Sequence, residues 1–225
     1  FKEVSGWESP DWFGDPGTTP DPGPLTWGRV TYWDRWAREH HAARNGVIAM
    51  DMSFMGKFLV QGRDAGRVLD RISANAVNGA EDRITYTQWL NETGRLEADV
   101  TVAKLESDRF LVIVTDTMVG HVGAWLRRQT PADAHCIHTD VTSAYGQLNV
   151  QGPRSRELLQ SLTSADLSDA AFPFRTAREI DIGFARVLCV RMTYLGALGF
   201  ELYIPSEQAR SEEHTSELQS RGLIS

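Results

Sequence analysis

The sequence is short of cysteine, of positive charge and of long apolar runs, and each shortage excludes a class of protein. Its 225 residues include only two cysteines, Cys136 and Cys189, which lack the C-x-x-C spacing typical of zinc sites. We therefore expect two buried free thiols and a reducing compartment, either the cytoplasm or, in a eukaryote, the mitochondrial matrix. No run approaches the roughly 20 apolar residues that span a bilayer, and the first residues do not resemble a secretion signal, so no membrane association is expected.

Three further partner classes are not expected. The formal net charge of −7 argues against nucleic acid, because phosphate backbones are bound by clustered lysine and arginine. The G-x-G-x-x-G and P-loop motifs are absent, so we expect no flavin or nucleotide phosphate to bind this segment through them. No metal site is predicted, because His135 and His138 point to opposite faces of an extended segment. His40 and His41 are likewise separated by about 100° on a helix.

The sequence does have the composition of a folded domain, with 41% hydrophobic and 24% charged residues. Helical and strand periods alternate, which predicts a mixed α+β fold with mostly antiparallel sheets. The predicted helices cover residues 34–44, 64–73, 119–128 and 154–162, the last one opened by Pro153 at its first position. The predicted strands cover residues 55–61, 83–90, 95–105, 109–115, 141–150, 186–194 and 200–204. The three strands between 83 and 115 are joined by short turns, which predicts a meander.

The two ends of the chain differ from the part between them. Residues 1–33 mix tryptophan, proline and glycine without periodicity, which predicts a connecting arm from an upstream domain. Residues 34–209 carry the periodic segments and form the predicted folded domain, which we expect to be incomplete because the chain is truncated at both ends. Residues 210–225 read RSEEHTSELQSRGLIS, have no hydrophobic period and resemble a translated sequencing adapter. We interpret them as an assembly artefact, the alternative being a genuine disordered tail.

Asp99 stands out within its predicted strand, because aspartate is disfavoured in strands. By two-residue alternation it shares a face with Glu97, Thr101 and Ala103, whereas Leu96, Ala98, Val100 and Val102 face the other way. Two interpretations are open on this pattern alone. The face is either an ordinary solvated one or the place of a functional carboxylate.

Four segments between about residue 39 and residue 204 carry a resemblance to a known family. They read EHHAARNGVIAMDMSFMGKFLVQG, ITYTQWLNETGRLEADVTVAKL, LNVQGPRSRELLQ and TYLGALGFELYIP. In this order and spacing they resemble the folate-binding domain of the glycine cleavage T-protein (aminomethyltransferase) family. Within it they are most similar to the C-terminal domains of FAD-dependent dimethylglycine oxidase and sarcosine dehydrogenase, and of the pyruvate dehydrogenase phosphatase regulatory subunit.

The resemblance implies that the domain binds tetrahydrofolate in a central hole. Asp99 corresponds to the family's carboxylate near the reactive nitrogens, and is the implied catalytic residue because it can accept a proton or stabilise a developing ammonium. Met55, Tyr86, Tyr194 and Glu201 correspond to pterin contacts, with Glu201 accepting hydrogen bonds from the pterin. Taken singly, these four residues are also what ordinary strands and cores contain.

The resemblance further implies a particular reaction. An FAD domain upstream of this chain oxidises an N-methyl amine, sarcosine or dimethylglycine, to an iminium. The present module captures the methylene group as 5,10-methylenetetrahydrofolate. The alternative is a non-catalytic regulatory or scaffold module that keeps the fold but not the chemistry. Asp99 favours the enzyme, whereas Ala197, which stands where family members commonly carry glutamate, favours the regulator.

Overall fold

The computed structural model describes residues 2–4, 7–17, 19, 21, 23–24, 26–193 and 196–209. Tyr194 and residues 210–225 therefore lie outside the described part of the chain. Within the described residues, no helix is both long and apolar enough to cross a membrane. Both cysteines are free, with Cys189 buried and Cys136 partly buried.

The chain alternates between short strands and short helices. The strands are β1 (Lys2–Val4), β2 (Trp7–Ser9), β3 (Ile48–Asp51), β4 (Gly56–Gln61), β5 (Ile84–Leu90), β6 (Leu96–Glu106), β7 (Arg109–Val114), β8 (Ile137–Asp140), β9 (Tyr145–Gln151), β10 (Ala177–Ile182), β11 (Ala185–Val190) and β12 (Gly199–Pro205). The helices are α1 (Trp33–Asn45), α2 (Ala65–Ile72), α3 (Val119–Gln129) and α4 (Ser155–Gln160).

Two five-stranded antiparallel sheets form the body of the fold, and β1 and β2 form a separate hairpin. The first sheet has the order β5-β6-β7-β4-β8 and the second the order β10-β11-β12-β9-β3. The α+β fold class and the meander of β5, β6 and β7 are therefore confirmed. The sheets are also linked directly, because Arg83 pairs with Thr176 in an isolated bridge.

Three apolar layers hold these sheets in place. The outer face of the first sheet is covered by α2 and α3, which contribute Leu69, Ile72 and Leu126 to that core. The outer face of the second sheet packs on α4 and the loop after it, through Leu159 and Leu167. The third layer lies between the sheets and includes these residues of both: Ile84, Ala103, Leu111, Ile113, Ala177, Val190 and Tyr203.

The starts of strand β9 and helix α4 differ from the prediction for identifiable reasons. Residues 142–144 form a single 3-10 turn, which is closed by a hydrogen bond from the Ala144 amide to the Val141 carbonyl. The Val141 amide donates to the Lys57 carbonyl, and β9 begins only at Tyr145. Helix α4 begins at Ser155, so Pro153 lies in the turn before the helix and not at its first position. That turn is fixed from outside, because the Gly152 amide donates to Leu198 and the Arg154 amide to Gly46.

Candidate functional site

A cavity of about 610 Å³ opens at one end of the layer between the two sheets. We call it the central cavity. It is lined by Met52, Met55, Tyr86, Asp99, Val100, Thr101, Ile113, Val114, Thr115, Phe174, Arg175, Met192 and Thr193. Its volume is typical of sites that bind small molecules, which occupy about 300 to 1,000 Å³. The first sheet therefore supplies one wall, and segments that flank β3, β10 and β11 supply the others.

Asp99 and Tyr86 form a hydrogen-bonded pair at the rim of this cavity. The Tyr86 hydroxyl donates to Oδ2 of Asp99 over 2.9 Å. Their strands bring them together, because Asp99 lies opposite Gln88 and Tyr86 opposite Thr101, which makes the two residues diagonal neighbours on one face. The second carboxylate oxygen, Oδ1, has no hydrogen-bond partner among the described residues. It is free to accept a proton or a hydrogen bond from a ligand.

The pair also determines the ionisation of the tyrosine. The hydrogen bond to Asp99 raises the pKa of Tyr86 above its usual range, and burial and the carboxylate charge act in the same direction. Tyr86 is 42% exposed, so water still reaches its side chain. At neutral pH the phenol therefore keeps its proton and acts as a donor that orients the carboxylate.

Met52 and Met55 form the apolar wall of the cavity that lies beside β7. They belong to the loop between β3 and β4, which is turned by a hydrogen bond from the Met55 amide to the Met52 carbonyl. The Met52 amide also donates to Gln147 on β9 of the second sheet. Thioether side chains adapt their shape to flat rings, so this wall suits an aromatic or heteroaromatic ligand.

Arg175 also lines the cavity, and no sequence motif identified it. Its φ of +64° is in the left-handed region, which an arginine seldom adopts. The conformation is fixed by two backbone hydrogen bonds, one from the Arg175 amide to Arg191 and one from the Ile84 amide to the Arg175 carbonyl. The residue is exposed, and its guanidinium lies over the ring of Phe174, which also lines the cavity, so a carboxylate-bearing ligand could reach it.

Glu201 occupies a different place from the other predicted site residues. It is 2% exposed, accepts a hydrogen bond of 2.8 Å from the Tyr203 hydroxyl, and accepts one of 3.4 Å from the Asn149 amide. Burial raises the pKa of Glu201, although both hydrogen bonds oppose that shift. Its strand register places it on the face that looks into the layer between the sheets, but it does not line the central cavity.

A row of buried amides lies beside Glu201 on strand β9. Gln147, Asn149 and Gln151 alternate along that strand and are at most 3% exposed. Gln147 Oε1 and both amide atoms of Gln151 have no partner in the described part of the chain. Buried polar atoms are normally satisfied, so this row has donors and acceptors that no described residue uses.

The structure thus brings three of the five predicted site residues to one cavity. Met55, Tyr86 and Asp99 line it together, whereas Glu201 is buried in the neighbouring part of the layer between the sheets. Tyr194 lies outside the described residues, although Thr193 immediately before it lines the cavity. Among the described residues, no group of three or more histidine, cysteine, aspartate or glutamate side chains could hold a metal ion.

Comparison with protein families and curated proteins gives consistent matches. Residues 1–215 match the family described as GCVT N-terminal domain. The chain is 36% identical over 209 residues to the 4-methylaminobutanoate oxidase (formaldehyde-forming) of Paenarthrobacter nicotinovorans. The aligned region covers 93% of this chain and 25% of that protein. It is 32% identical to mouse mitochondrial dimethylglycine dehydrogenase, over 88% of this chain and 23% of that protein. It is 31% identical to the mouse mitochondrial pyruvate dehydrogenase phosphatase regulatory subunit, over 93% of this chain and 24% of that protein.

Solved structures give the same fold. The glycine cleavage system aminomethyltransferase T of Bartonella henselae superposes with a TM-score of 0.71 at 23% identity, and covers 82% of this chain and 49% of that one. At that identity the match supports the fold alone. The chain spans about a quarter of the length of the curated relatives named above.

Proposed function

The chain belongs to the GCVT N-terminal domain family, and from this premise we propose that its central cavity binds tetrahydrofolate for the capture of a one-carbon unit. The observation that carries the proposal is the Tyr86–Asp99 pair at the rim of the central cavity. A free carboxylate oxygen beside an apolar wall is suited to a ring nitrogen that gains positive charge during reaction.

The residues present fit the chemical parts of tetrahydrofolate. Met52 and Met55 offer a deformable apolar wall for the flat pterin. Asp99 offers an acceptor for an N–H group, and Arg175 offers a guanidinium for a carboxylate of the glutamate tail. Glu201 can accept hydrogen bonds from the amino edge of the ring if that edge reaches the layer between the sheets, and its buried partners hold it in one orientation.

When bound, tetrahydrofolate supplies an amine nucleophile for a one-carbon unit at the oxidation level of formaldehyde. Asp99 then has two tasks, which are to accept the proton that the amine loses and to stabilise positive charge before that loss. Tyr86 keeps the carboxylate pointed into the cavity through its hydrogen bond. The cavity walls hold the reacting groups in one orientation, which replaces an encounter in solution by an intramolecular step.

The reaction of the whole protein is a further part of the proposal. Two relatives are named for oxidising N-methylated amines, and the chain corresponds to about a quarter of each. We infer that an FAD domain elsewhere in the protein oxidises a substrate such as sarcosine or dimethylglycine. The methylene carbon of the resulting iminium is transferred here to the two nitrogens of tetrahydrofolate, which gives 5,10-methylenetetrahydrofolate and releases the demethylated amine and a proton.

The proposal predicts that tetrahydrofolate binds to the chain and that binding depends on Asp99. Isothermal titration calorimetry under anaerobic conditions should give saturable binding that weakens about ten-fold to a hundred-fold in Asp99→Asn, because a hydrogen bond to a charged acceptor is worth about 1.5 to 3 kcal/mol. Asp133→Asn, which alters an exposed carboxylate in a turn after α3, is the matched control and should bind like the wild type. Absence of wild-type binding, or equal binding by Asp99→Asn, contradicts the proposal.

A second function is favoured by one relative, the pyruvate dehydrogenase phosphatase regulatory subunit, which matches over the same part of the chain. Ala197, which stands where the family commonly has glutamate, removes one possible acceptor. In this alternative the module keeps the fold and serves as a regulatory or scaffold domain without folate chemistry. Saturable binding that depends on Asp99 favours the enzymatic function, and a stable chain that binds no folate favours the regulatory one.

A further inference from the structure

Lys57 is fully buried in the layer between the sheets, although lysine is seldom found in such a position. It lies on β4 directly opposite Ile113 of β7, and Ile113 lies opposite Thr101 of β6. Thr101 in turn lies opposite Tyr86 of β5. Lys57 is therefore the fourth member of a cross-strand row whose other three members all line the central cavity.

The ammonium group of Lys57 is bonded to the loop that forms the methionine wall. Its Nζ donates to the Ser53 carbonyl over 3.0 Å and to the Met55 carbonyl over 2.8 Å. These two carbonyls lie in the same loop as Met52 and Met55, the two wall residues. Hydrogen bonds from a charged donor are roughly twice as strong as neutral ones, so Lys57 adds two strong bonds to a loop that backbone hydrogen bonds also hold.

We propose that Lys57 is a positioning residue that shapes the central cavity by holding the Met52–Met55 loop against the first sheet. The expected effect of Lys57 on tetrahydrofolate affinity rests on the proposed function, whereas its effect on the position of the loop does not. Lys57 touches no ligand in this scheme and acts only through the loop. Without its ammonium, the Ser53 and Met55 carbonyls lose this donor, and the methionine wall is held less firmly beside the pterin position.

The charge on Lys57 changes within an accessible pH range. Burial lowers its pKa from the usual 10.5 to about 8, against the opposing effect of Asp51 at the end of β3 and Asp140 at the end of β8. Between pH 8 and 10.5 the folded protein therefore binds fewer protons than the unfolded chain, so this group makes global stability rise with pH. The bonds to the loop weaken over the same range, because a neutral amine donates more weakly than an ammonium.

The chain provides a matched control in Lys104. This residue is 8% exposed, and its Nζ donates to Asn78 Oδ1 and to the Gly79 carbonyl, both over 2.8 Å. It thus also fixes a loop through two hydrogen bonds, but that loop does not line the central cavity. Lys104→Met therefore lowers the free energy of unfolding by removing a buried ammonium, but it leaves the methionine wall unchanged.

The experiment compares Lys57→Met and Lys104→Met in the full chain. Hydrogen exchange followed by NMR should give an amide protection factor at Met55 that is at least about ten-fold lower in Lys57→Met and unchanged in Lys104→Met. Calorimetry should give a tetrahydrofolate Kd raised about ten-fold in Lys57→Met alone. An unchanged Met55 protection factor in Lys57→Met, or an equal loss in both variants, overturns the inference.

The wild-type chain gives an independent answer if Lys57→Met does not fold. Its Met55 protection factor, which is corrected for base-catalysed exchange, should fall between pH 7 and pH 9 while the melting temperature does not fall. A Met55 protection factor that stays constant across this range overturns the inference. If the exchange results hold but the wild-type chain binds no tetrahydrofolate, the proposed function fails and the positioning role of Lys57 stands.

Discussion

At the scale of single residues, Asp99 differs from its neighbours on β6 because it is exposed at the cavity rim while the strand around it is largely buried. Such an aspartate would normally be fully solvated. Here Tyr86 fixes one carboxylate oxygen, and the other remains available at the rim. The residue therefore combines an orienting partner with access to a ligand, which are the two properties that a general base needs.

In the whole protein, Asp99→Ala should separate amine oxidation from one-carbon capture. We expect flavin reduction by dimethylglycine or sarcosine to stay near the wild-type rate, because Asp99 is assigned to the folate step. The yield of 5,10-methylenetetrahydrofolate should fall about ten-fold to a thousand-fold, with formaldehyde accumulating instead. Stopped-flow absorbance and product chromatography measure the two steps. Asp133→Ala is the control, and a wild-type rate of folate product in Asp99→Ala would show that the catalytic assignment is wrong.

Among the elements, β6 contributes one face to the core under the helices and the other face to the central cavity. Ala98, Val100 and Val102 face the core under α2 and α3, as the alternation predicted. On the other face, Thr101 lines the central cavity with Asp99, and Ala103 lies in the layer between the sheets. Strand β6 has apolar residues on one face and a carboxylate on the other, and it is thus covered by helices on one side and borders the central cavity on the other.

Gly56, the first residue of β4, lies where the first sheet packs tightly against the start of α3. A Cβ atom on Gly56 would lie 2.5 Å from a Val119 methyl and 2.8 Å from a Val114 methyl, whereas one on Gly120 would meet nothing within 4 Å. Gly56→Ala should therefore lower the free energy of unfolding by about 1 to 3 kcal/mol. Gly120→Ala, in helix α3, should raise it by about 0.5 to 1 kcal/mol. Urea denaturation measures both, and a stable Gly56→Ala would contradict the packing described for this corner.

At the scale of the whole molecule, the two sheets are held together by the shared apolar layer and by the chain between them. The Arg83–Thr176 bridge and the hydrogen bond from the Ile84 amide to Arg175 join the first sheet to the segment before β10. The central cavity lies where this shared layer opens. Its shape therefore depends on the packing of both sheets.

A deletion at the C-terminus tests whether residues 210–225 contribute to the stability of the whole molecule. Their sequence has no apolar period, which predicts that they bury no face against either sheet. Deleting residues 211–225 should leave the melting temperature unchanged by differential scanning calorimetry. The matched deletion of residues 200–225 removes most of β12, whose Phe200, Leu202 and Ile204 are buried, and should abolish cooperative unfolding. A drop of several degrees in the shorter deletion would count against the interpretation of this segment as an artefact.

The periodicity of the sequence was enough to predict most elements, and its motifs were enough to predict the family. The helical and strand periods located the helices and most strands, because they reflect which side chains must face a core. They did not identify β1, β2, β3, β8 and β10. The first two strands are only three residues long, β3 and β8 are four residues long, and β10 has three exposed residues within its six. The family motifs, in their order and spacing, identified Asp99, Tyr86 and Met55 as candidate site residues, which the structure places in one cavity.

Which residues meet at the cavity, and what holds them there, depends on how the two sheets pack together. Arg175 carries no sequence signal, because its left-handed backbone conformation depends on hydrogen bonds to Arg191 and Ile84, which are distant in the chain. Nothing in the sequence marks Lys57 as a buried residue. The strand register places it opposite Ile113, and its ammonium bonds to the Met52–Met55 loop. Periodicity reports the average environment of a face, whereas contacts between remote segments arise only when the two sheets pack together.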